Sequence, residues 1–153
     1  MDLFKIFSVS GSGMAAQRSR MTVVAGNLAN SETSRTPEGG PYRRRNIIFK
    51  AVPAQGELNS EFAAQFDKLS DGAGEAQGVE VVGVKASSRP PRTLFDPHHP
   101  DANADGYVAM PSINPMEEMV DMLSAVRSYE ANLATYNTTK SLIRKILDIG
   151  RGG

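Results

Sequence analysis

Cysteine and tryptophan are both missing from this 153-residue chain. Without cysteine, a disulfide scaffold and thiolate metal ligands are excluded, although the absence assigns no compartment. Aromatic residues make up 7% of the sequence beside a hydrophobic content of 40%, which is low for a chain that packs a large core of its own. Neither charge sign is in excess. The 17 basic and 17 acidic residues cancel, so no global field recruits nucleic acid or an anionic membrane. No stretch approaches the ~20 apolar residues needed to span a bilayer. The run from Met1 to Val9 is short and broken by Lys5 and Ser8, unlike a cleavable signal peptide. Any export is therefore expected to use a route independent of such a peptide. No phosphate-binding glycine loop, dinucleotide fingerprint or Ser-His-Asp constellation is present, so the expectation is a non-enzymatic protein without a cofactor.

What the chain does have is a pair of helical stripes. From Met119 to Leu147 apolar residues fall at alternating steps of three and four: Met119, Met122, Val126, Tyr129, Leu133, Tyr136, then Ile143 and Leu147. Only Lys140 interrupts this a/d heptad pattern, which belongs to a helix lying along another helix. Lys140 would specify register or partner if it met a carboxylate, and otherwise extends to solvent. A second stripe, Phe7, Met14, Met21 and Leu28, is spaced by sevens near the other end. It is shorter, and Gly11 and Gly13 weaken it by about 1 kcal/mol each relative to alanine. Much of the C-terminal stripe is thus left for other subunits. Neither stripe has enough internal surface to pack on, so both termini are expected to be loosely ordered in a free monomer.

The pattern predicts an α+β fold with long terminal helices and a small β-rich centre. Residues 1–34 form the first helical segment, 35–112 the centre, and 113–153 the last helical segment. Ser10-Gly11-Ser12-Gly13 marks either a kink or a close backbone approach, and Asn30 with Ser31 is the expected stop. Strands are expected over 42–52, 79–85 and 106–110. Residues 53–78 read as a loop or mobile insertion, with one amphipathic turn at Phe62, Phe66 and Leu69. For the last helix, Asn114 is the cap, Pro115 the first residue, Glu117 the capping-box acid and Gly150 the terminator.

Three clusters invite a chemical reading. Asp101, Asn103 and Asp105, followed by Gly106 and Val108, match the opening of a calcium-binding EF-hand loop, and a calcium-responsive module on residues 101–112 is one alternative. Position 12 is Ser112 instead of glutamate, and Pro97 and Pro100 occupy the place of the entering helix. The competing expectation is a tight turn in which the Asx side chains bond their own backbone. His98 and His99 are adjacent and cannot easily converge on one metal, so a proline-flanked surface turn is expected. Arg43-Arg44-Arg45 alternate across a strand, with Tyr42 the one nearby aromatic, and read as a solvated edge or an inter-subunit ion-pairing site. Asn27, Asn30 and Asn132 are expected to bond backbone at helix ends or between helices.

Several segments together resemble the flagellar rod and hook axial proteins, and the proximal-rod group among them. These are Asn27-Leu28-Ala29-Asn30-Ser31-Glu32-Thr33, Gly39-Gly40-Pro41-Tyr42-Arg43-Arg44-Arg45, Asp96-Pro97-His98-His99-Pro100-Asp101-Ala102 with Gly106-Tyr107-Val108, Glu118-Met119-Val120-Asp121-Met122, and Arg127-Ser128-Tyr129-Glu130-Ala131-Asn132. Residues 53–78 carry none of the resemblance, and Ser112 stands where asparagine is expected. The resemblance implies export through the flagellar type III apparatus and a place in the periplasm-spanning rod of the basal body. It also implies helical stacking with other copies and other rod proteins, which transmits torque from motor to hook. The stripe residues and Asn27 and Asn30 would then be the assembly surface. A cytosolic coiled-coil adaptor is the remaining alternative, and it would form a closed dimer.

Overall fold

Glycines at 11 and 13 do not break the first helix. Leu3–Ala29 runs without interruption as α1 in the computed structural model, which describes residues 3–53 and 77–151. The reason is close packing. Ser12 donates its hydroxyl to the Val9 carbonyl at 2.9 Å and accepts the Val79 N–H at 3.1 Å. A Cβ at Gly13 would sit 2.9 Å from the side-chain amide of Asn132, and one at Gly78 would sit 2.9 Å from Ser12 Oγ. The helix is continuous here, and at Gly13 it is the Asn132 side chain, not another backbone, that approaches, while Gly11 has nothing within 4 Å.

The remaining elements are β1 (Arg45–Pro53), β2 (Gln77–Ala86), β3 (Arg92–Phe95), β4 (Tyr107–Met110) and α2 (Pro115–Arg151). β1 pairs with β2 and β3 with β4, giving two small antiparallel sheets between two long helices. The α+β expectation is borne out. In the second sheet Arg92 lies opposite Met110 and Phe95 opposite Tyr107. Alternation is clean in β4, where Val108 and Met110 are buried while Tyr107 and Ala109 are exposed. β3 was not foreseen. All four of its residues are exposed, so it carries no burial pattern and exists by pairing with β4. The amphipathic turn expected at Phe62, Phe66 and Leu69 lies outside the described residues.

Asn114 starts α2 as expected: its Oδ1 accepts the Met116 N–H at 3.1 Å, and its amide donates to Glu117 at 3.3 Å. Gly150 does not end the helix, which continues to Arg151. A side chain at Gly150 would meet nothing within 4 Å, so no packing motif enforces a stop there.

Packing divides the chain into two compact units, and both helices contribute to each. One contains the described residues of Met1–Ala16, Phe49–Glu80 and Ser128–Gly153. Its buried side chains are small or polar: Ser10, Ala16 and Thr139. Phe7 meets Tyr136 edge-on with centroids 4.3 Å apart, and Gly13 faces Asn132, so α1 and α2 run antiparallel here. The other unit contains Gln17–Ile48 and Val81–Arg127. It holds most of the buried apolar residues, Val24, Val108, Met110, Ile113 and Ala125, together with buried Asn27, Ser31 and Glu118. Its helix segments are also antiparallel, since Arg20 reaches Asp121 while Asn27 reaches Glu118.

Candidate assembly surface

The stripe on α2 does not pack as a single seam. Its Met122, Tyr129, Tyr136 and Ile143 are half-buried, whereas Met119 is 45%, Leu133 39% and Leu147 61% exposed. Val126 is half-buried, and Lys140 is exposed. The partly covered heptad combines the first set with positions one residue before Met119, Val126, Leu133 and Lys140: Glu118, Ala125, Asn132 and Thr139, of which all but Asn132 are buried. The helix therefore turns small and polar side chains inward and leaves large apolar ones outside. Met116, Val120 and Leu123 are exposed in one unit, and Leu142, Ile146 and Ile149 in the other. Exposed apolar surface of this extent on a helix makes this face the candidate for packing on another molecule. On α1, Phe7, Met14, Met21 and Leu28 are all half-buried.

Polar groups in the second unit explain why the inward face is not apolar. Glu118 is fully buried. Its Oε1 accepts Arg44 Nε at 2.5 Å, and its Oε2 accepts Asn27 Nδ2 at 3.0 Å. Asn27 also bonds both sides of the Arg45 backbone, with Oδ1 accepting the N–H at 2.8 Å and Nδ2 donating to the carbonyl at 2.9 Å. The Tyr42 hydroxyl donates to the same Oδ1 at 3.3 Å. Asp121 extends the network, lying 3.0 Å from Arg20 and 3.5 Å from Arg44. Arg44 also donates to Asn46. One amide and one carboxylate thus tie α1, α2 and the first residue of β1 together. A buried carboxylate left without these partners would cost several kcal/mol, so the network fixes one helix register over its neighbours. Asn30 acts locally: its amide donates to the Gly26 carbonyl at 2.8 Å and its Oδ1 accepts the Thr33 hydroxyl, closing the end of α1.

The arginine run is corrected in one respect. Arg43 and Arg45 are exposed, but Arg44 is used within the chain by Glu118 and Asp121. Sequence reasoning missed this network. Its one visible signal was the i, i+3 spacing of Glu118 and Asp121, which puts both carboxylates on one helix face. The arginines that answer them lie 74 and 101 residues away along the chain.

Nothing favours the calcium reading of residues 101–112. Asn103 Oδ1 is committed to the backbone N–H groups of Asp105 and Tyr107, at 3.0 and 2.8 Å, and Gly106 has φ of 79°. Asp101 accepts the Ser34 hydroxyl at 2.7 Å and lies 3.8 Å from Arg35. Asp105 is exposed. His98 is exposed, and His99 Nδ1 accepts the Asp101 N–H at 3.1 Å inside the same turn. Among the described residues no group of three or more His, Cys, Asp or Glu is placed to hold a metal ion. These side chains build a turn.

Comparison with known proteins assigns the class first. Residues 7–35 match the family described as "Flagella basal body rod protein", and residues 104–149 match "Flagellar basal body rod FlgEFG protein C-terminal". These spans cover most of α1 with its following turn, and β4 with nearly all of α2. Over full length, the chain is 44% identical to the flagellar basal-body rod protein FlgC of Borreliella burgdorferi, covering 99% of this chain and 100% of that one. Identity is 40% to FlgC of Bacillus subtilis and 37% to FlgC of Salmonella typhimurium, with the same coverage. The chain belongs to the FlgC family of flagellar basal-body rod proteins, and the resemblance drawn from its motifs is borne out. It is a structural subunit of the basal-body rod.

Proposed function

We propose that this subunit builds the proximal rod by stacking helically with other copies and other rod proteins, and that it transmits torque from motor to hook. The observation that carries the reading is the exposed apolar face of α2. A helix that already has an intramolecular partner still presents Met116, Met119, Val120 and Leu123 to solvent in one unit, and Leu133, Leu142, Ile146 and Leu147 in the other. A face of this kind that meets a different surface on the next subunit makes a heterologous contact, which propagates and does not close.

In this reading residues 1–34 and 113–153 are the axial segments and 35–112 the β-rich part. Phe7, Met14, Met21 and Leu28 supply the flank of α1, while Asn27 and Asn30 act through the register and end of that helix. The subunit works by burial and register and catalyses nothing. Its route to the periplasm is the flagellum's own type III export apparatus.

The test replaces Leu123 and Leu147 with aspartate in the full chain and follows swimming and incorporation into isolated basal bodies. Both side chains are exposed in the free subunit, so thermal stability is expected to stay within about 0.5 kcal/mol of wild type. Incorporation and swimming are expected to be lost. Normal incorporation of the double variant would remove the apolar face from the mechanism.

A further inference from the structure

The turn after α1 frames a cavity of about 330 Å³, lined in part by Tyr42 and Arg45 at the edge of the polar network. Arg35, Arg43 and Arg45 line it, and Glu38 is the one acid in its lining. Gly39 in its lining and the adjacent Gly40 have φ of 91° and 74°, and the Thr36 N–H donates to the Gly40 carbonyl at 2.9 Å. Just before β1, Arg44 pairs with Glu118 and Asp121, while Arg43 and Arg45 on either side of it are exposed. Among the described residues neither Arg43 nor Arg45 has a carboxylate within ion-pair distance. The Arg45 guanidinium lies 5.7 Å from the centre of the Tyr42 ring, which holds it over the cavity side of the strand. Arg35 is 79% exposed, and its contact with Asp101 is long, at 3.8 Å.

A matching anion is written into the same sequence. Residues 54–76 carry Glu57, Glu61, Asp67, Asp71 and Glu75 against the single base Lys68. Because the whole chain is neutral, the remainder carries the compensating positive charge, to which Arg35, Arg43 and Arg45 contribute. We propose that the acidic segment 54–76 of one copy docks on the Arg35, Arg43 and Arg45 cavity of a second copy. Segment and cavity are different surfaces, so the contact is head-to-tail, as a propagating assembly requires. The proposal rests on the assembly reading above and assigns a partner to a surface which that reading leaves empty.

Sedimentation velocity of the full chain tests it at about 50 mM and about 500 mM salt, which spans strong and weak electrostatic range. Two variants are compared with wild type: Arg43→Glu/Arg45→Glu, and a segment variant with Glu57, Glu61 and Glu75 changed to glutamine and Asp67 and Asp71 to asparagine. Wild-type association is expected to weaken roughly tenfold at the higher salt, and each variant alone to be weakened as much at the lower salt. Mixing the two variants is expected to form a complex, because one still offers the segment and the other the cavity. Arg43→Gln/Arg45→Gln is expected to weaken association with an unchanged thermal midpoint, which separates docking from folding.

Association of Arg43→Glu/Arg45→Glu equal to wild type overturns the proposal, as does a mixture that stays dissociated or a wild type that is monomeric at low salt. Association that ignores salt but disappears in Leu123→Asp/Leu147→Asp also overturns it, while leaving the apolar-face reading intact.

Discussion

The two packing units contain segments of the same two helices, yet they are held by different means. In the unit of Gln17–Ile48 and Val81–Arg127, five buried apolar residues surround a carboxylate and an amide whose partners are all supplied internally. In the other unit the buried side chains among the described residues are a serine, an alanine and a threonine. Among the described residues, the Phe7–Tyr136 pair, the Ser12–Val79 hydrogen bond and the Gly13–Asn132 approach are among the contacts that support them. At roughly 25 cal/mol per Å² of apolar area, the described residues of the first unit gain more from burial than those of the second. Among the described residues, the first unit satisfies its buried polar groups within the chain, while the second shows fewer buried apolar side chains.

The largest expected effect lies at Glu118. Glu118→Ala leaves Arg44 without its closest carboxylate and Asn27 without one acceptor, and breaking a buried pair in this way costs about 3–5 kcal/mol. Glu118→Gln keeps an acceptor for Asn27 and is expected to cost less. Denaturant unfolding monitored by circular dichroism measures both. A loss below about 1 kcal/mol for Glu118→Ala, the median for an exposed pair, would show that the two units do not differ in the way described.

Next in size is the gradient along α2. Amides of residues 128–151 in the dilute full chain are expected to exchange at least about tenfold faster than those of 115–127, because local opening follows buried contact and not helix length. Hydrogen exchange with mass spectrometry resolves the two stretches. Equal protection throughout would erase the contrast, and it would also count against the loosely ordered termini expected from the stripes.

Much of this fold was legible in the sequence, for reasons tied to particular residues. The cap at Asn114 and Pro115, the alternation at Val79 to Lys85 and the heptads of both helices are local signals, and local signals survive without tertiary context. β3 was hidden because Pro90 and Pro91 precede it and its partner β4 lies beyond the Asp96–Gly106 turn. The seam was misread by one residue on half of its positions. Periodicity scores apolarity, and so it selected Met119, Leu133 and Leu147. The chain instead buries Glu118 and Thr139, and packs Asn132 against Gly13, because each meets a group that the heptad pattern does not encode. The same misreading marks out the proposed surface: side chains that fit the pattern but not the intramolecular seam are those exposed on α2.

The smallest effects come from the two glycines of α1, and they differ in sign. Gly11 has nothing within 4 Å of where a Cβ would stand, so Gly11→Ala gains helix propensity alone and should stabilise by up to about 1 kcal/mol. At Gly13 the added methyl meets the Asn132 amide at 2.9 Å, and that side chain must swing away. The propensity gain is then offset by lost packing, and Gly13→Ala should be close to neutral. Repeating it with Asn132→Ala removes the obstacle, and the full gain of about 1 kcal/mol should return as a measurable coupling between the two sites. If Gly13→Ala stabilises equally with and without Asn132, the close approach contributes nothing, and the helix ends are even more weakly specified than the comparison of units implies.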